Sequence, residues 1–120
     1  MLVINLTRNQ VLAERAVYAG TFWSRFRGWM GKKTAEFGEA LLLDPCRSVH
    51  TFWMRFPIDV VFVSADGLVV HVIEKMEPFR FSPVVRRAKL VIELPPGVVS
   101  RTGTRAGDRL MLQNSGGIFL

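Results

Sequence analysis

Apolar residues come in short runs along this chain, and only one stretch keeps a helical period. LVINL at 2–6 and VLAERAVYA at 11–19 flank the polar TRNQ and predict two strands around a turn. In TFWSRFRGWMG, residues Phe22, Trp23, Phe26, Trp29 and Met30 fall at i, i+1, i+4, i+7 and i+8, one face of a helix over 21–30. Thr21 can cap its start, Gly31 can end it, and Lys32 and Lys33 suit the negative end of its dipole. Gly28 lowers helix propensity there and suggests close packing against a neighbour. The aromatic face is expected to plug an open end of the fold and cover the core.

Beyond residue 31 the helical period is mostly lost. LLLD at 41–44 is a short buried run ended by Pro45. SVHTFWMRF at 48–56 reads as extended, with Ser48, His50, Phe52, Met54 and Phe56 on one side and Val49, Thr51, Trp53 and Arg55 on the other. Large apolar residues on both sides predict a strand covered on both faces, with His50 partly buried. IDVVFV, SADG and LVVHVIEKM predict a hairpin turned by Asp66-Gly67. AKLVIEL predicts a strand ended by a type II turn with Pro96 at i+1 and Gly97 at i+2. TRAGDRLMLQ predicts a turn feeding a last strand, and NSGGIFL a turn with a short edge strand. With about eight short strands joined by loops and one helix, the expected fold is mainly β, a single-domain antiparallel β-sandwich or squashed barrel.

Composition adds bounds. The 120 residues suit one domain spanning 1–120, and 49% hydrophobic with 22% charged is a globular balance. A single cysteine, Cys46, forbids an internal disulfide and favours a reducing compartment. The start shows no basic, apolar leader, and runs such as VVFV are far shorter than a membrane span, so the expected place is the cytoplasm. The net charge of +6 raises nucleic acid as a partner, but the sixteen basic residues are scattered from Arg8 to Arg109, which reads more simply as a solvated surface. FWSRFRGWMGKK interleaves aromatics and bases as single-strand binders do, yet its aromatics occupy the apolar helical face that the core requires.

The chemistry-bearing residues are few. His50 and Met54 are soft enough for copper, but four residues of strand separate them by about 13 Å. With one Cys and two His no zinc spacing exists, so neither a metal nor a cofactor is expected. Asp59 is either a turn aspartate taking nearby backbone N–H groups or a carboxylate orienting His50, with Arg55 or Arg27 as its ion partner. Glu93 shares a strand face with Val91 and must reach solvent or a cation. Asp108, in AGDRL, reads as turn chemistry. No standard nucleotide-binding, hydrolase or metalloprotease motif is present.

RGWMGKK, LLLDPCRSVHTFWMRFPIDVVFVSADGLVV, LVIELPPG and AGDRL, in that order over about residues 20–112, closely resemble the prokaryotic family known as domain of unknown function 192. The resemblance implies a mainly β domain related to jelly-roll-like sandwiches and brings no established activity with it. Its signature positions correspond to Arg27, Gly28, Met30, Pro45, His50, Met54, Asp59, Glu93, Gly97, Gly107 and Asp108. Similar proteins often carry a leader or membrane anchor, from which this chain departs. The residues and the resemblance together predict one polar cluster of Arg27, His50, Asp59 and Glu93 beside Met54. The favoured function is a binding module for a small polar or anionic ligand or a peptide segment. One alternative is an enzyme with His50 as general base and Asp59 or Glu93 orienting it. A second is a basic nucleic-acid-binding domain.

Overall fold

A computed structural model describes residues 1–118. Its elements run β1 (Leu2–Asn5), β2 (Gln10–Ala19), α1 (Phe22–Arg27), β3 (Gly38–Leu43), β4 (Ile58–Val63), β5 (Val69–Met76), β6 (Leu90–Leu94), α2 (Val98–Thr102), β7 (Leu110–Asn114) and β8 (Gly117–Ile118). The eight strands form one sheet in the order β5-β4-β6-β3-β2-β1-β7-β8. Neighbours run antiparallel except β2 and β3, which run parallel because the chain between them, including α1, crosses over. The sheet curls into a half-barrel. Its β5 end meets the segment before β7 through the bridge between Leu68 and Arg109, with Val69 N–H donating to Asp108 O at 2.8 Å. The architecture is mainly β, as expected, with one parallel pair in place of a wholly antiparallel sheet.

Curling gives the sheet two unequal faces. The concave face gathers Val3, Leu12, Leu42, Val61, Val63, Ile92, Leu94 and Leu112, and α2 closes one end with Val98 and Val99. The convex face of the β5-β4-β6-β3 half carries Leu41, Leu43, Ile58, Val60, Phe62 and Val91. Loops cover it with Val49, Met54, Trp29 and Ala88. Strands β4 and β6 are therefore buried on both sides along their whole length, which is why IDVVFV and LVIEL read as continuous apolar runs. The predicted turns form. Ser64 O accepts from Gly67 N–H at 3.0 Å, and Gly97, at φ 99°, occupies the left-handed position for which glycine is suited.

Three local expectations change. The helix is shorter than 21–30. Thr21 caps it as expected, its Oγ1 accepting from Ser24 N–H at 3.1 Å, but Gly28 rather than Gly31 ends it, at φ 49°. Its aromatic face does not cover the core either, since Phe22, Trp23 and Phe26 are exposed and only Trp29, beyond the helix, is buried. Lastly, SVHTFWMRF is not a strand. Thr51, fully buried, folds it into a turn. Its carbonyl accepts from Met54 N–H and Phe79 N–H, its N–H donates to Arg80 O, and its hydroxyl donates to Glu77 O at 2.6 Å. Side-chain alternation fails where a buried hydroxyl organises the backbone in this way. The edge strand expected in NSGGIFL is β8, and Phe119 and Leu120 lie outside the described residues. No helix among the described residues is long and apolar enough to cross a membrane.

Candidate functional site

Between α1, the 45–54 loop and the convex face lies a cavity of about 310 Å³. Its lining includes Arg25, Arg27, Gly28, Cys46, His50 and Glu93, with Met54 and Trp29 supplying apolar surface. The sequence therefore singled out four residues that the fold does bring to one place, Arg27, His50, Met54 and Glu93. Turning at Thr51 is what allows His50 and Met54 to line the same cavity, which an extended segment would prevent. Among the described residues no three His, Cys, Asp or Glu side chains gather as metal ligands would.

Glu93 sits on the central strand β6, opposite Val60 on one side and Leu41 on the other. Residues opposite one another in antiparallel pairs share a face, so Glu93 projects into the apolar convex layer, as its pairing with Val91 along the strand predicted. It meets neither solvent nor a cation there. It is 2% exposed, and its Oε1 has no hydrogen-bond partner among the described residues. Burial pushes its carboxyl up to about 8, so near neutral pH the group is mostly a neutral acid, able to donate as well as accept. Gly28 lies beside that carboxyl, where a Cβ would stand 3.4 Å from Oε1, an ordinary contact; it is the positive φ of 49° that calls for glycine there.

His50 is held from both sides. Its Nδ1 accepts from Phe52 N–H at 3.2 Å, so the ring proton lies on Nε2, which donates to Phe26 O at 3.0 Å. The imidazole thus ties the end of α1 to the 48–54 loop with both nitrogens in use. No hydrogen bond joins it to a carboxylate among the described residues, and a general base would have to give up one of its backbone bonds first. Cys46 donates to Ser48 O at 3.1 Å. Burial pushes its thiol up, the Ser48 bond works against this, Glu93 adds to the rise, and Arg25 opposes it. The outcome is a protonated thiol on the cavity wall.

Asp59 does not join this group. It pairs with Leu94, one residue along from Glu93's pairing with Val60, and so faces the concave side. Its Oδ1 accepts from Lys75 N–H at 2.8 Å, and its Oδ2 from Gly97 N–H at 3.1 Å and Val99 N–H at 2.8 Å. Lys75 lies at a bulge of β5, and the other two N–H groups begin α2, so this carboxylate satisfies donors that regular pairing leaves over. Neither Arg27 nor Arg55 is its partner. The turn-aspartate reading describes it, and the reading in which it orients His50 does not.

Asp108 is likewise occupied. Its Oδ2 accepts from Asn5 at 2.9 Å, and from Arg8 Nε and Arg105 N–H at 3.1 Å. Burial alone would raise its carboxyl, but these donors outweigh it and hold it below its usual range. Sequence reasoning missed Arg25, Gly28 and Cys46 as cavity residues. The one available signal was a glycine inside a predicted helix, Gly28, whose positive φ ends α1 at the cavity.

Comparison with known proteins agrees with the sequence resemblance. The DUF192 family, described as "Uncharacterized ACR", matches residues 3–112. A UPF0127 protein of Thermococcus sibiricus is 32% identical over 113 residues, covering 91% of this chain and 73% of its own. Another from Pyrococcus furiosus is 32% identical over 111 residues, covering 90% and 95%. Among solved structures, a protein of unknown function from Novosphingobium aromaticivorans has a TM-score of 0.81 at 21% identity, covering 91% of this chain and 81% of its own. One from Sinorhizobium meliloti, provisionally described as a transcription regulator, has a TM-score of 0.76 at 24% identity, covering 91% and 88%. At those identities the two structures show the fold alone.

Proposed function

Because the chain belongs to the DUF192 family, which brings no activity with it, we infer the function from the cavity itself: a binding module that takes a small polar ligand between α1 and the convex face of the sheet. The observation that carries this reading is the unpartnered Oε1 of Glu93 on the cavity wall. A buried polar atom without a partner costs about 1–3 kcal/mol, and a fold with no use for it would place leucine there. As a neutral acid Glu93 can hydrogen-bond a hydroxyl, carbonyl or carboxylic group of a ligand. Arg25 and Arg27, on the same lining, supply charge for an anionic end. Met54 and Trp29 form an apolar wall, and about 310 Å³ is the size of a small metabolite site.

The test is an amide-resolved NMR titration with small carboxylate and phosphate-ester compounds, on the native protein and on Glu93→Leu. Shifts confined to residues 25–29, 46–50 and 93, and lost in the variant, support the reading. No compound causing such shifts at millimolar concentration, or shifts that persist in Glu93→Leu, would reject it.

A further inference from the structure

Beside that cavity, the aromatic residues excluded from the core form a surface of their own. Trp23 stacks on Phe26 at 5.8 Å between ring centroids, and Trp53 meets Phe79 edge to face at 5.4 Å. Trp23, Trp53 and Phe79 are 67%, 65% and 49% exposed, which is unusual for residues this large when they cluster. The three line one open trough of about 600 Å³ together with Arg27 and Arg55, and among the described residues no acidic one lines it. Neither arginine forms an ion pair with a described residue.

The backbone adds an independent observation. Trp53 lies at φ 66° and Phe79 at φ 63°, left-handed conformations that bulky residues rarely adopt. Both are held there by Thr51, whose carbonyl accepts from Phe79 N–H and closes the turn that carries Trp53. Such strain persists where the surrounding structure enforces it, and it clusters at sites of contact. Here it displays two aromatic rings to solvent, where they gain little from burial.

We propose that this trough binds single-stranded nucleic acid, with bases stacking on Trp23, Trp53 and Phe79 and phosphates meeting Arg27 and Arg55. The charge is complementary to a polyanion, and aromatic rings take any base through its π-face. Ring and guanidinium also lie close in sequence on this lining, with Trp53 two residues before Arg55. The proposal goes beyond the cavity reading: the two linings share Arg27, Met30 and Met54, but Trp23, Trp53 and Phe79, which carry this one, lie outside the cavity.

The test is an anisotropy titration of a labelled twenty-nucleotide oligothymidylate, read alongside tryptophan fluorescence, at low and at physiological salt. Binding that quenches tryptophan and weakens steeply with salt is expected. Trp53→Asn and Phe79→Asn should each weaken it about tenfold. Asparagine accepts a left-handed backbone, so both variants should fold at least as well as the native chain, which thermal melting checks. Glu93→Leu should leave oligonucleotide binding unchanged, which separates this surface from the cavity. The proposal is overturned by absence of binding at low salt, by equal affinity of Trp53→Asn, or by co-sedimentation with phosphatidylserine vesicles without oligonucleotide binding.

Discussion

Asp59 and Glu93 are both buried carboxyls in the middle of the molecule, on adjacent strands, yet the fold treats them in opposite ways. Asp59 faces the concave core and accepts three backbone N–H bonds. Glu93 faces the convex layer, and its Oε1 accepts none. The first gathers donors that a bulge and a helix start leave unpaired, so the fold depends on it. The second is left without a partner, which the ligand site proposed above would account for. Burial is the same for both carboxyls; the number of partners is what differs.

The most severe way to break this comparison is Asp59→Ala. Three N–H groups would lose their acceptor in a buried setting, and the variant should lose about 4 kcal/mol of stability by denaturant titration at pH 7. A loss under about 1 kcal/mol would mean that water replaces the carboxylate easily, and the assigned role would be wrong.

Glu93→Leu should act in the opposite direction, with a gain of about 4 kcal/mol at pH 8, because the apolar side chain removes the cost of keeping a buried carboxyl protonated. The native protein should also carry a pH signature. The folded carboxyl titrates near 8 and the unfolded one near 4.5, so between these values the folded state holds the extra proton. Native stability should fall by about 1.4 kcal/mol per pH unit across that window and show no Glu93 contribution to the slope below or above it. Glu93→Leu should remove this component. An unchanged slope would show that a group outside the cavity carries it.

These contrasts also mark how far the sequence alone could reach. The strands β4 and β6, the Asp66-Gly67 hairpin, the Pro96-Gly97 turn and the Thr21 cap were readable because each depends on residues within a few positions, whereas burial on both faces was expected of 48–56 and belongs instead to β4 and β6. Glu93's face followed from alternation as well, although its lack of a partner did not. What failed depended on remote contacts. Thr51 bends 48–56 through bonds to Glu77, Phe79 and Arg80, and no local pattern announces that. The parallel pairing of β2 with β3 is equally silent, and α2 is too short for periodicity to reveal. Asp59 was grouped with His50 because both lie in one apolar stretch, but a strand's alternation gives relative faces and not which face a distant loop will cover.

His50 lies between the two carboxyls in character. It lines the cavity, like Glu93, yet both its nitrogens are bonded to backbone, like the oxygens of Asp59. His50→Ala should therefore cost about 1.5 kcal/mol, less than Asp59→Ala because the ring is only half-buried and water can reach the freed groups. A gain in stability would instead place it with Glu93, as a group held against the interests of the fold.

The smallest effect tests the same logic in the backbone. Trp53 is to the turn what Glu93 is to the core, a residue in a place that suits it badly. At φ 66° a tryptophan is disfavoured relative to asparagine or glycine, and its side chain, largely exposed, recovers little through packing. Trp53→Asn should raise stability by about 0.5–1 kcal/mol, visible as a melting temperature a few degrees higher. The edge contact with Phe79 works against this gain, since an aromatic pair contributes about 0.5–1.5 kcal/mol when well packed. The sign of the measured change thus decides between two accounts of the exposed rings. A rise means that the ring is displayed at the expense of stability, for contact with something outside the chain. A fall of more than about 1 kcal/mol means that the Trp53–Phe79 pair itself clamps the two loops around Thr51, and the strain is compensated within the fold.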